Sequence, residues 1–559
     1  MPYSDGGYLH NAGTRAPWRI RLTEMRTERS TFDGHWYEID RFMAPGRYRQ
    51  GHSAQENRGG KKHQAIIDET ALRARRVFTA GFVSGMTSPA RPWFKLSLPD
   101  DELAHYHSVK RWLEEVEKRI YLILAQANFY QVIATVYDTL GTFGTAAVTV
   151  VERPQSLVWF RPHPAGDFYC SSNNDMIVDT IYRETKKKVR ELVETFGYER
   201  CSTSTQSQFN SNRLDEYIDV VQAIEPNDKR IPGHPGAQGM PYRSVWFEET
   251  GPEQDYLGRK GFRDFPSMVV RWFADAMDDY AIDCPGMTAL GGVKQLQHQQ
   301  AKKGQAIDKI VNPHLQVPTD LQRTAKSFLP GGTTYYDATN PNAGVRPIHD
   351  LSQMRLTELG QDIRDVQERI NESFFVDLFL MISQQDDVRT ATEVALRNEE
   401  KLLVLGPALQ RVQTELLDPV IDRVYSIMER TGNIPEPPPE ISDMPLRTKY
   451  ISMLAQAQQS VGASSIERFM NMTSAVASVN PNVIDKVDHD AGVEEYGEIL
   501  GVPSRLIRSE DEVADIREAR AAEQRQAQQL EAANQAAAAA KTASEVNISD
   551  DGPLGPLIN

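Results

Sequence analysis

Cysteine is scarce: Cys170, Cys201 and Cys284 are the only three in 559 residues. None sits in a C-x-x-C pair. Neither a disulfide scaffold nor a zinc module is expected, and a reducing compartment is the simple reading. Catalytic signatures are missing too. There is no G-x-x-x-x-G-K-[ST] phosphate loop, no G-x-S-x-G elbow, no H-E-x-x-H helix and no dinucleotide fingerprint. Long apolar runs are also lacking. The most apolar stretch, Tyr121 to Val151, is interrupted by Gln126, Asn128, Gln131 and Asp138. A bilayer span needs about 20 mostly apolar residues, so this stretch reads as a buried helix running into a strand, with no membrane partner. Residues 1–30 are polar and Arg-rich and do not read as a secretory signal.

What is present is ordinary globular material. Apolar residues make up 40% and charged residues 25%, enough to bury a sizeable core. At roughly 150 residues per domain, the length suggests about three or four structural units. The 77 acids exceed the 62 bases, for a formal charge of −15. That excess argues against a surface that coats nucleic acid all over, but not against a local basic stripe. Residues 15–76 are net basic and 485–559 net acidic. These are either two solvated surfaces of unlike sign or the ends of an oriented particle that meets different partners.

Periodicity gives an α+β chain that is mainly helical. Trp18, Leu22 and Met25, then Phe32, Trp36, Ile39 and Met43, mark a helix that ends at Ala44-Pro45-Gly46. Further helices are expected over 64–84 and 102–138, then a strand from Thr145. The region 145–275 alternates short strands with turns and one helix near 185–197. A helix over 287–311 precedes a Pro/Gly-containing segment to 349, in which two short strands are expected. Leu356, Leu359, Ile363, Val366, Ile370 and Phe374 mark another helix. A long helix starts at Thr390, which has capping-box spacing to Glu393. Its stripe is Leu405, Leu409, Val412, Leu416, Val420, Val424 and Ile427, with kinks expected at Pro407 and Pro419. Residues 445–508 read as a small helical domain, followed by an Ala/Gln/Glu helix to about 545 that would be marginal alone.

The polar clusters have bland readings beside sharper ones. His105 and His107, near Asp100, Asp101 and Glu102, could hold a metal but fit an exposed turn better. Asp275, Asp278, Asp279 and Asp283 could bind a divalent cation, yet a solvated loop suits them. His489 between Asp488 and Asp490 reads the same way. Lys186, Lys187 and Lys188, with Arg183 and Arg190, read as a solvated helix face. No metal site, cofactor or catalytic residue is expected. Lys294, Lys302 and Lys309 fall within an arc of about 80° at 100° per residue, with Gln295, Gln297, Gln299, Gln300 and Gln305 around them. This is either a plain exposed face or a sparse basic stripe making weak, sequence-blind contact with duplex DNA.

The order of several segments resembles the portal, or head-to-tail connector, proteins of short-tailed bacteriophages. The resemblance covers roughly 15–440. It rests on Met25-Arg26-Thr27-Glu28-Arg29 through His35-Trp36-Tyr37-Glu38-Ile39 to Ala44-Pro45, and on Gly85-Met86-Thr87-Ser88-Pro89 with Pro92-Trp93-Phe94-Lys95-Leu96. Its most specific part is Arg389-Thr390-Ala391-Thr392-Glu393-Val394, followed by Leu405-Gly406-Pro407 and Glu415-Leu416-Leu417-Asp418-Pro419. It implies a non-enzymatic virion protein at one capsid vertex, assembled in the host cytoplasm. The subunit would join a ring, usually of twelve copies, around a channel for DNA packaging and ejection. The implied parts are a wing (1–285), a first stem helix (286–311), a clip (312–350), a second stem helix (351–375), a channel loop (376–390), a kinked wing helix (391–440) and a crown with an acidic tail (441–559). Lys294, Lys302, Lys309, Gln384, Gln385, Asp386, Asp387 and Arg389 would face the DNA. Phe328, Tyr335 and Tyr336 would mark the docking clip. Implied partners are copies of itself, duplex DNA, the major capsid and scaffold proteins, the large terminase subunit and tail adaptor or tube proteins. The alternatives are a metal-dependent nuclease built on the 275–283 acids and a helical scaffold without a channel.

Overall fold

The computed structural model describes residues 16–49, 63–99, 106–250, 256–275, 278–311, 356–383, 404–441, 446–452 and 510–545, with the pairs 315–316 and 346–347 and a few single positions from 454 to 492. The chain divides into two compact units, Met1–Val461 and Gly462–Asn559.

In the first unit, helix α1 (Ala16–Met43) does two jobs. Its first half lays Trp18, Leu22 and Met25 on a five-stranded antiparallel sheet, where Tyr182, Val221 and Phe247 receive them. Its second half puts Trp36, Ile39 and Met43 into the main core. That sheet runs β4 (Phe168–Ser172), β5 (Val178–Lys188), β6 (Tyr217–Pro226), β7 (Tyr242–Glu248), β8 (Gly258–Phe262). A second sheet has the order β3-β2-β9: β3 is Leu157–His163, β2 Thr145–Arg153 and β9 Ser267–Arg271. A short ribbon pairs β1 (Phe94–Ser97) with β12 (Arg447–Tyr450). Residues 447–450 therefore sit in the first unit, which runs past the crown boundary expected at 441.

Two expected helices differ. The one over 102–138 is two, α3 (His107–Gln126) and α4 (Phe129–Phe143), bent by 77°. Asn128 at the break donates from Nδ2 to the Phe160 carbonyl and accepts the Phe160 N–H, both at 2.8 Å, so the turn is docked on β3. The helix near 185–197 is strand β5 as far as Lys188, then α5 (Val189–Phe196). A further helix, α6 (Thr203–Asn210), is capped by Ser202, which accepts the Thr205 N–H. Lys186, Lys187 and Lys188 are thus strand residues rather than a helix face. Their alternation sends Lys187 to one side of the sheet and its neighbours to the other.

Among the described residues, no single helix is long and apolar enough to cross a membrane. Helix α2 (Thr70–Met86) crosses α4 and α9 (Val376–Ser383) at close range. A Cβ on Gly81 would lie 2.3 Å from the Phe379 side chain, and one on Gly141 would lie 2.2 Å from Phe78, so glycine permits both crossings.

Two long helices pair beside this core. They are α7 (Pro285–Val311) and α8 (Leu356–Ser373). Val293 and Leu296 are buried on α7, and Ile363, Val366 and Ile370 on α8. Between them, β10 (Leu315–Gln316) pairs antiparallel with β11 (Arg346–Pro347). After α8, Phe375 adopts φ +53°, which turns the chain into α9.

In the second unit, the described helix α10 (Glu510–Glu545) has 36 residues, about 54 Å at 1.5 Å each. Nearly all its described side chains are exposed, and its apolar residues, mostly alanine, form no marked stripe.

Candidate functional site

The α7–α8 pair carries the candidate lysines, and the structure separates them. Lys294 Nζ donates to Glu38 Oε2 of α1 at 2.8 Å. That hydrogen bond, ahead of all other influences, holds Glu38 below the ordinary carboxylate range. Lys294 is therefore a tie between α7 and α1. Lys302 and Lys309 lie further along α7, exposed, with no ion pair among the described residues.

Three of the glutamines around these lysines make contacts within the subunit. Gln297 is buried, at 6% exposure. Its Oε1 accepts the N–H groups of Ile67 and Asp68 at 2.6 and 2.9 Å, while its Nε2 donates to the Asp68 carbonyl at 2.9 Å. Gln300 of α7 and Gln367 of α8 both donate to Asp68 Oδ2, at 2.8 and 2.9 Å. Asp68 Oδ1 caps the next turn by accepting the Thr70 N–H at 2.8 Å. Burial alone would raise the Asp68 pKa, but the donors from Thr70, Gln300 and Gln367 hold it below its ordinary value. Gln299 donates to Asp362 of α8. Three of the five glutamines thus fasten the helix pair to itself and to the start of α2. The sequence held one signal for Gln297: it follows Val293 by four residues on the buried face.

The second node lies where β9 meets the helix 404–430. Arg271 is 2% exposed. Its Nη2 donates to Glu415 Oε1 at 2.8 Å and to the Met176 carbonyl at 2.6 Å, its Nη1 donates to the Asp278 carbonyl at 3.0 Å, and its backbone N–H donates to Glu415 Oε2 at 2.9 Å. Arg411 adds an ion pair to Glu415 at 3.2 Å and donates to the Ala274 carbonyl at 2.6 Å. Glu415 sits in a wide π-turn, Val412–Leu417, directly before the α-helix Asp418–Arg430. Pro419 follows directly on that π-turn, at the second residue of the α-helix. Pro407 lies in the helical stretch 404–411.

Three of the acids for which a cation site was the sharper alternative accept local hydrogen bonds. Asp279 Oδ1 accepts the Ser172 N–H at 2.6 Å, Asp278 accepts the Asp275 N–H at 3.3 Å, and Asp283 accepts the Thr288 hydroxyl at 2.9 Å. They fasten a hairpin and a helix start. Among the described residues, no three His, Cys, Asp or Glu side chains form a group that could hold a metal. All three cysteines are free and buried. Gln384, Gln385, Asp386, Asp387 and Arg389 of the channel loop, and Phe328, Tyr335 and Tyr336 of the clip, lie outside the described residues, as do His105 and His489.

Comparison with known proteins matches the amino-acid sequence to a family over most of its length. The family model for the bacteriophage head to tail connecting protein covers residues 17–507. The portal protein of Salmonella phage epsilon15 is 38% identical over 540 residues, 96% of this chain and 97% of that one. The probable portal protein of Bordetella phage BPP-1 is 40% identical over 537 residues, 96% of each chain. Among solved structures, a chain from the virion of a native gene transfer agent particle aligns at 11% identity and a TM-score of 0.32, covering 78% of this chain and 94% of that one, a distance at which no detail transfers.

Proposed function

The chain belongs to the bacteriophage head-to-tail connecting protein family, and from that premise we propose that it assembles into a closed ring whose channel passes the genome. Its function is that of a phage portal, a virion protein at the capsid vertex. Portal proteins are structural, form oligomeric rings and meet capsid, terminase and tail proteins. The observation that carries the reading is near-full-length identity to two phage portal proteins. The nuclease alternative loses its basis, because the 275–283 acids are spent on local hydrogen bonds.

The finer assignment rests on the order of the elements along the chain and on what the family resemblance implies. Helices α7 and α8 form the stem, and the segment between β10 and β11 forms the clip that docks the large terminase subunit and later the tail. The channel loop is assigned to residues 376–390, the first eight of which are helix α9. Residues 462–559 form the crown, whose polar 36-residue helix needs copies of itself to bury any surface. Twelve copies in cyclic symmetry would close head-to-tail interfaces. The net charge of −15 per subunit gives a lining that repels phosphate, which Lys302 and Lys309 offset locally. Electron microscopy of the purified protein tests this. Rings with a central opening of duplex width are expected; filaments, shell fragments or monomers would overturn it.

A further inference from the structure

Helix α1 has two unlike sides that face apart. Arg19, Tyr37 and Arg41 are all exposed. At 100° per residue they fall within an arc of about 40°, and that arc lies about 140° or more from Glu28. Thr23 and Ser30, on the same side as the arginines, are exposed too. A Cβ on Gly34 would meet nothing within 4 Å, so this side of the helix is open. Tyr37 is 56% exposed. Arg19 and Arg41 have no ion pair among the described residues.

The Glu28 side meets the hairpin 273–283. Tyr280 of that hairpin packs its ring against Phe32, 5.4 Å between centroids, and Phe32 stands one turn beyond Glu28. Arg271 joins the hairpin to the β4–β5 turn. Its Nη1 donates to the Asp278 carbonyl at 3.0 Å and its Nη2 to the Met176 carbonyl at 2.6 Å. These two neighbouring turns hold large apolar side chains out to solvent: Met176, Ile177, Phe273 and Ile282 are each 46–62% exposed. Both turns are firmly built. The Phe273 carbonyl accepts the Ile282 N–H at 2.9 Å. Asn173 Oδ1 accepts the Asp175 and Ile177 N–H groups at 2.9 and 3.1 Å. Met176 adopts φ +62°, a conformation that favours glycine or asparagine, so an apolar side chain is kept outward at a conformational cost. Single exposed apolar residues are ordinary, but four on adjoining turns mark a contact surface. Its rim is acidic, with Glu28 and Asp175 exposed beside it.

We propose that this acid-rimmed apolar surface receives the Arg19–Tyr37–Arg41 side of α1 from the next copy of the chain. Two unlike surfaces that face apart on one subunit are what head-to-tail closure of a ring requires. Their chemistry is complementary: carboxylates rim one, and unpaired guanidinium groups flank the other. Tyrosine and arginine are also the commonest anchors of protein interfaces, and both stand on the α1 side. The contact rests on the ring reading given above and supplies the surfaces through which the ring closes. Lys302 and Lys309 take no part in it.

Charge reversal in the purified full chain tests the proposal, with rings counted by electron microscopy and sedimentation. Arg19→Glu/Arg41→Glu should lose ring formation while its circular dichroism matches the parent, and Glu28→Lys/Asp175→Lys should do the same. All four changes in one chain should restore rings, because both surfaces are then reversed together. If either double variant loses the parent's circular dichroism, Phe273→Ser, at an exposed position, takes its place and should reduce rings at equal protein concentration. Rings as abundant as the parent's in these variants, or no recovery in the fourfold variant, would overturn the contact. A parent chain that forms no rings overturns the ring reading and the contact with it, whereas a parent that forms rings indifferent to these changes overturns the contact alone.

Discussion

Gln297 clasps Asp68 by its backbone, accepting the Asp68 N–H at 2.9 Å and donating to the Asp68 carbonyl at 2.9 Å. One amide side chain, buried on α7, thereby fixes the start of α2. The same residue accepts the Ile67 N–H, so its removal leaves two backbone donors and one acceptor without partners. Gln297→Ala should cost about 2–3 kcal/mol, the scale of a buried hydrogen-bonding group left unsatisfied. Gln305→Ala, at an exposed position on the same helix, should change stability little. Urea unfolding of the two variants checks this, and equal midpoints would contradict the clasp.

The clasp also shows where sequence reading stops. Apolar periodicity found α1, α7, α8 and the 404–430 helix because each buries a stripe, and Leu405, Leu409 and Val412 are all fully buried. It read the glutamines as surface because an amide has no periodic signature of its own, although Gln297 holds a buried register. The run β5-to-α5 was misplaced for a related reason. Charged Lys186 and Lys187 look solvated in sequence, but Asp219 on the neighbouring β6 and Trp246 on β7, one strand further, receive them. The π-turn did leave a trace. Val412, Leu416, Val420 and Val424 are spaced by four throughout, and on a 3.6-residue helix each such step drifts by about 40°. A wide turn at Val412–Leu417 brings the stripe back to one face. Asn128 gave no warning of the α3–α4 bend, because its partner, the Phe160 backbone, is 32 residues away.

Glu415 neutralises Arg271, which has no access to water at 2% exposure. Glu415→Ala would leave a buried guanidinium held only by carbonyls, and Arg411 would lose its ion pair as well. A cost of about 3–5 kcal/mol is expected, the range for breaking a buried pair by deleting one partner. Arg271→Met with Glu415→Ala together should cost less than Glu415→Ala alone, because the stranded charge is gone. Guanidinium denaturation of the three variants measures this. A single-variant loss below about 1 kcal/mol would show that the pair contributes little.

Lys294, Lys302 and Lys309 of α7 should not behave alike. Lys302→Ala/Lys309→Ala leaves every described contact of α7 intact, so Tm and ring formation should match the parent. DNA packaged per particle should fall. Lys294→Ala breaks the tie to Glu38 and should act like Glu38→Ala, on the α1–α7 contact. Packaging yield and ring assembly, measured in phage complemented with each variant, distinguish the roles. A packaging loss from Lys294→Ala with none from the Lys302/Lys309 pair would place the DNA contact elsewhere.

Glu117 of α3 should make stability depend on pH near neutrality. It accepts the Leu96 N–H at 2.7 Å. Burial pushes its carboxyl up to about 7 from an ordinary value of 4.5, against the pull of the Leu96 N–H and the nearby Lys95 and Lys118, with Glu114 adding to the rise. The folded protein therefore keeps this proton where the unfolded chain has released it. Its contribution to stability is full below about pH 4.5 and is lost as pH rises to about 7. Glu117→Gln retains an acceptor for Leu96 but cannot ionise. Relative to the parent, the variant should gain stability between pH 5 and pH 8, by up to about 3 kcal/mol at 1.36 kcal/mol per pKa unit. Urea unfolding at the two pH values measures the gain, and a difference between variant and parent that does not change with pH would show that Glu117 does not titrate in this window.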